Sequence, residues 1–131
     1  MIDSNFYSLH PRAIKGILLF NQKEYFEAHE ELEFAWRDEK NKVRELYQGI
    51  LQVGVAYYHI QRRNFAGGKI MIERSAKWLA PFPNIIFGIN IQKLKSDSDI
   101  VYKTLMQLGP EKIANFNPIL FRPIEIHGED K

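Results

Sequence analysis

The chain has 131 residues, 45% hydrophobic and 26% charged, with 18 Lys and Arg against 16 Asp and Glu and no cysteine. That length encloses one core, and the composition is that of a globular chain, not a disordered one. A formal net charge of only +2 argues against nucleic acid and membrane surfaces as partners, and the missing cysteines exclude disulfides, thiolate catalysis and zinc–thiolate sites.

The opening residues 1–6 have neither a basic nor an apolar signal region, so no secretory leader is expected. His10-Pro11 suits a helix entry, because proline's missing N–H has no helical partner in the first turn. Ile14, Ile17, Leu18 and Phe20 then recur at helical spacing, and Asn21-Gln22-Lys23 makes a short break. A second helix is expected over 25–37, then a charged turn over 38–42. The longest helix follows, from 43 to about 62, ending at Arg63-Asn64 because Asn tolerates the left-handed cap conformation. Its nearly uncharged stretch 47–58 is interrupted by Gln48 and Gln52 and is too short and polar to span a bilayer; a cytoplasmic protein is expected.

A fourth helix is expected over 65–79, stopped by Ala80-Pro81, with Pro81, Pro83 and Gly88 marking a loop. Residues 90–108 read as helical but broken around Ser96-Asp97-Ser98-Asp99, where Asp97, Ser98 or Asp99 caps a new start. The tail 119–124 is apolar enough to lie along the bundle, and the last four residues are expected to be loose. No strand pattern competes.

The fold class expected is therefore all-α, one domain over 1–131. Two antiparallel helical hairpins, at 11–37 and 43–79, are covered by a C-terminal helix and an extended tail, with a core of Ile17, Leu18, Phe26, Leu32, Ile50, Val53, Tyr57, Ile70 and Leu79. The spacing Gln22 to Phe26 repeats at Gln61 to Phe65, which aligns Ala28 with Gly67 and Leu32 with Met71. The small-and-large pattern Gly16, Tyr25, Ala28, Leu32, Ala35 also approximates a tetratricopeptide hairpin. Two such units fall short of a solenoid.

Two polar stripes interrupt these apolar faces. On the second helix His29 and Glu33 are four apart and Glu30 lies three before Glu33; on the third, Gln48, Gln52, Ala56 and His59 follow one another by four, four and three. A short turn makes the helices antiparallel, which sets His29 opposite His59 or Ala56, Glu33 opposite Gln52, and Trp36 opposite Gln48. Two imidazoles and a carboxylate, His29, His59 and Glu33, suit a divalent ion such as zinc, manganese or iron with positions left open for water. Glu30, or Glu27 one turn earlier, then accepts a proton from that water, and Trp36, Gln48, Gln52 and Tyr58 line the site. The competing expectation is a buried Glu–His–Gln network that satisfies itself and fixes the helix pairing. Position 33 is Glu, so the stricter His-Glu-x-x-His pattern is absent. The basic cluster Arg62, Arg63, Lys69, Arg74 and Lys77 has the spacing of a solvated helix face and lacks an aromatic recognition motif. His10 and His127 are expected to be solvated or capping.

Tyr25-Phe26-Glu27-Ala28-His29-Glu30 with Leu32-Glu33 and Trp36-Arg37 resembles the signature of the family called domain of unknown function 309. Gln48-Gly49-Ile50-Leu51-Gln52, Ala56-Tyr57-Tyr58-His59 and Asn64-x-x-Gly67 resemble its second block, so the likeness covers about 10–80. It implies a compact all-α fold in small intracellular proteins that are sometimes labelled predicted metal-dependent hydrolases. The motif positions carried over are Glu27, His29, Glu30, Glu33, Trp36, Gln48, Gln52 and His59. Two positions depart from the pattern, both in turns: Lys23-Glu24, where a glycine often precedes the Tyr-Phe pair, and Arg63, where glycine commonly precedes Asn64. The expected function is a metal-assisted hydrolase acting on an unidentified small molecule. The alternative is a non-enzymatic, tetratricopeptide-like helical-hairpin module that docks a peptide or protein partner, motivated by Trp36, Tyr57 and Tyr58. A homodimer through an apolar helix face is compatible with both.

Overall fold

The computed structural model describes residues 4–127; the expectation of a loose end concerns 128–131, which lie outside that range. After a 3-10 turn at Ser4–Ser8 come α1 (Pro11–Asn21), α2 (Tyr25–Asp38), α3 (Arg44–Gln61) and α4 (Phe65–Leu79). A two-stranded ribbon, β1 (Ile85–Ile86) and β2 (Ile89–Asn90), leads into α5 (Ile91–Leu108), and two 3-10 turns precede an extended end. The fold is all-α. Among the described residues no helix is long and apolar enough to cross a membrane.

Local chemistry sets the helix ends. His10 Nδ1 accepts the Arg12 N–H at 3.0 Å and so caps α1, with Pro11 in the first turn. Asn64 accepts the Gly67 N–H at 2.9 Å to cap α4, and Asn90 accepts the Lys93 N–H at 2.9 Å to cap α5. The turns closing both hairpins pass through a left-handed residue, Lys23 at φ 64° and Arg63 at φ 60°.

The central helix is α3, buried at eleven positions from Leu46 to Ile60 and flanked by α2 and α4. Close approach of neighbouring helices depends on missing side chains, at Gly16 and Gly49 most tightly. A Cβ on Gly16 would sit 2.6 Å from Leu32 Cγ, and one on Gly49 would sit 2.6 Å from Leu79 Cδ2.

Of the expected core, Ile17, Leu32, Ile50, Val53, Tyr57 and Leu79 are buried, but Leu18, Phe26 and Ile70 are 44%, 50% and 43% exposed. Helix phase explains all three. α2 buries Tyr25, Ala28, Leu32 and Ala35, so Phe26 turns about 100° away from that line; Leu18 follows Ile17 in the same way, and Ile70 lies across the helix from Ile72. The internal echo is likewise shifted by one residue. Lys23 corresponds to Arg63, Ala28 to Gly68, Leu32 to Ile72 and Ala35 to Ser75, each of the last three pairs buried on both sides.

The C-terminal part holds two further corrections. α5 runs unbroken through residues 96–99, because Asp97 is buried rather than capping and meets Lys93 Nζ at 2.7 Å and Arg122 Nη1 at 3.4 Å. The loop after Pro81 contains the β-ribbon, with Ile86 paired to Ile89 and a further bridge from Ile89 to Ile126. Phe87 and Gly88 at φ 52° and 76° make its two-residue turn. The tail is tied down by Asn21, whose side chain both donates to Ile124 O at 3.0 Å and accepts from Ile124 N at 2.7 Å.

Candidate functional site between α2 and α3

The side of α2 that turns from the core toward α3 carries His29, Glu33 and Trp36, all half-buried. Against it α3 sets Gln48, Leu51, Gln52 and Val55, and α4 adds Met71. Together these line a cavity of about 260 Å³. The cavity thus brings together Glu33 and Trp36 of one polar stripe with Gln48 and Gln52 of the other.

Within the cavity His29 Nε2 lies 3.0 Å from Glu33 Oε1, while the other carboxylate oxygen accepts from Arg37. The Arg44 guanidinium lies over the Trp36 ring, 4.6 Å from its centroid, and its Nε donates to Trp36 O at 3.0 Å. Gln52 is 8% exposed, and its Oε1 is buried without a hydrogen-bond partner, as is Trp36 Nε1. Two residues that line the cavity thus leave a donor and an acceptor unpaired, and unpaired buried polar atoms are costly.

His29 is also part of a second, smaller cavity of about 140 Å³, shared with Tyr25, Phe26, Val55, Tyr58 and His59. His59 Nδ1 is 3.3 Å from Asn64 Nδ2, and its ring lies on Gly67, where a Cβ would come within 2.8 Å of His59 Cγ. Burial pushes the His59 pKa below the ordinary imidazole value. Tyr58 stands at the rim, its ring 5.9 Å from that of Phe26 and under the Arg62 guanidinium. Glu27 and Glu30 are exposed on the outer face of α2 and line neither cavity.

The donor set does not form a three-ligand metal site as it stands. His29 and Glu33 face each other, His59 is turned to Asn64, and among the described residues no three His, Cys, Asp or Glu side chains are placed to hold one ion. Sequence reasoning missed Arg37 and Arg44. The first was available as an i+4 partner of Glu33, whereas the second reaches Trp36 only across the folded turn.

Residues 13–71 match the family model described as Domain of unknown function (DUF309). The chain is also similar to the uncharacterized protein YpuF of Bacillus subtilis (strain 168), 41% identical over 58 residues. That stretch is 44% of this chain and 33% of that protein, so the chain spans about a third of the relative's length. Every residue lining the two cavities falls inside the matched segment. Residues 13–71, the segment that matches this family model, build both cavities.

Proposed function

We propose that the α2–α3 cavity is a hydrolytic site for a small amide-like substrate. The observation that carries this reading is the leftover pair on one cavity, the Trp36 Nε1–H donor and the Gln52 Oε1 acceptor. A carboxamide edge offers a carbonyl to the first and an N–H to the second. Leu51, Val55 and Met71 accept an apolar remainder, and 260 Å³ restricts the substrate to a small molecule. His29 beside Glu33 supplies the chemistry: with its proton held on Nε2 toward the carboxylate, Nδ1 has the lone pair that takes a proton from water. The water oxygen then bonds to the acyl carbon, and the proton passes to the departing nitrogen as the C–N bond breaks. Arg37 holds the other oxygen of Glu33 and so fixes the carboxylate against the imidazole.

Two alternatives make different demands. A self-satisfied network leaves Trp36 Nε1 and Gln52 Oε1 unexplained. The docking module keeps Trp36 and Tyr58 at cavity walls but loses Tyr57, which is buried in the core. The test is a titration of isotope-labelled protein with acetamide, N-methylurea, benzamide and matched esters, followed by hydrolysis assays on whatever binds. Amides should shift the Trp36 indole N–H and the Gln52 side-chain resonances, and His29→Ala should keep binding while losing turnover. Shifts absent for every amide at high millimolar concentration would end this reading.

A further inference from the structure

A larger concavity lies elsewhere, a trough of about 630 Å³ between α4 and α5. All its lining residues come after position 71, outside the segment that matches the family, so it is independent of the site above. The two helices run antiparallel here: a Cβ on Gly68 would be 3.5 Å from Leu105, and Tyr102 donates to Glu73 at 2.6 Å. Beyond that bond the helices leave a floor of Ile72, Ala76, Leu79 and Ala80. Residues 72–80 extend about 12 Å, two helical turns.

Charge around the trough is one-sided. Glu73 is engaged by Tyr102 and, at 2.9 Å, by Lys69, which with the more distant charge of Lys77 hold its carboxyl below the usual range; Asp99 meets Lys103 at 3.0 Å. Lys77 and Lys95, at the end toward the β-ribbon, make no ion pair among the described residues. The trough thus has a neutralised polar end, an apolar floor and a cationic mouth.

We propose that this trough docks a two-turn amphipathic helix of a protein partner, with apolar anchors on Ile72, Ala76 and Leu79 and carboxylates at Lys77 and Lys95. Ala76 and Ala80 lack the bulk that would hold a helix backbone away, and helical spacing of anchors matches a groove between helices. An acyl chain in an open trough stays wet along one side. A helix carries its own covering face. The unpaired lysines select acidic over basic segments and steer their approach.

The test uses the full chain, isotope-labelled, and a synthetic capped helical peptide of about twelve residues, with leucines at i, i+4 and i+7 and glutamates elsewhere. Controls are the same peptide with lysine for every glutamate, and sodium decanoate. The acidic peptide should shift resonances within 72–80 and 95–102, leaving His29 and Gln52 unchanged. Affinity should fall at least about tenfold in Lys77→Glu/Lys95→Glu and as salt rises. Ala76→Gln, at an exposed helix position, should retain the wild-type melt and lose binding. Equal affinity for both peptides, or binding unchanged in these variants, would overturn the proposal. So would shifts from decanoate alone, or self-association of the chain that Ala76→Gln abolishes, since the occupant is then an acyl anion or a second copy.

Discussion

Lys23 and Arg63 sit at equivalent places in the two hairpin turns, both in the left-handed region that costs a side-chain-bearing residue roughly 1–2 kcal/mol. Glycine removes that strain at the expense of some unfolded-state entropy, so Lys23→Gly and Arg63→Gly should each stabilise the fold by about 0.5–1 kcal/mol. Denaturant melts measure this, and a loss of stability in either variant contradicts it. The need was visible in the sequence, since these turns are where the resemblance expects glycine. His59 gives a second residue-scale prediction. Burial favours its neutral form, so its contribution is fully present above the unfolded value of about 6.5 and is lost as pH falls through the lower folded-state value. Between pH 8 and pH 5 the melting temperature of His59→Gln should therefore fall less than that of the wild type. Parallel curves would show that His59 titrates normally.

At the scale of elements, the tightest junctions are α1 on α2 at Gly16 and α3 on α4 at Gly49. Gly49→Ala drives a methyl into the buried Leu79 side chain, and a loss of about 1–3 kcal/mol is expected by chemical denaturation despite alanine's better helix propensity. No change would mean that Leu79 has room to move. α5 shows the opposite balance. Ser96-Asp97-Ser98-Asp99 has the composition of a helix start, yet Asp97 is 5% exposed and joined to Arg122 from the tail as well as to Lys93 on its own helix. Asp97→Ala should cost about 2–4 kcal/mol and open residues 121–127 to proteolysis. Arg122→Ala should cost less, because Lys93 still neutralises the carboxylate. If the two losses are equal, the tail contact dominates.

For the whole molecule, the separation of His59 from the His29–Glu33 pair has a direct thermal consequence. A ligand of the folded state raises its melting temperature. With the side chains arranged as described, zinc, manganese or iron should leave the melts of wild type and His29→Ala superimposed with and without chelator. A metal-dependent rise in the wild type that is lost in both His29→Ala and His59→Ala would restore the three-ligand site and remove the metal-free role of Glu33.

Helical periodicity, the entry at His10-Pro11 and the short turn after α2 are local properties, and they were enough to determine four helices, their antiparallel order and the meeting of the two polar stripes on one cavity; the left-handed residue expected at Asn64 is Arg63, and Asn64 caps α4 instead. Each depends on residues a few positions apart. The tertiary structure decided what depends on distant partners. It placed Phe26 outside, gave His29 to Glu33 and His59 to Asn64, left Glu27 and Glu30 facing solvent, and buried Asp97 under an arginine 25 residues later. A stripe read from sequence covers a broad arc of the helix. Which edge of that arc meets a neighbour is set by the crossing of packed helices and by the tail that closes over them.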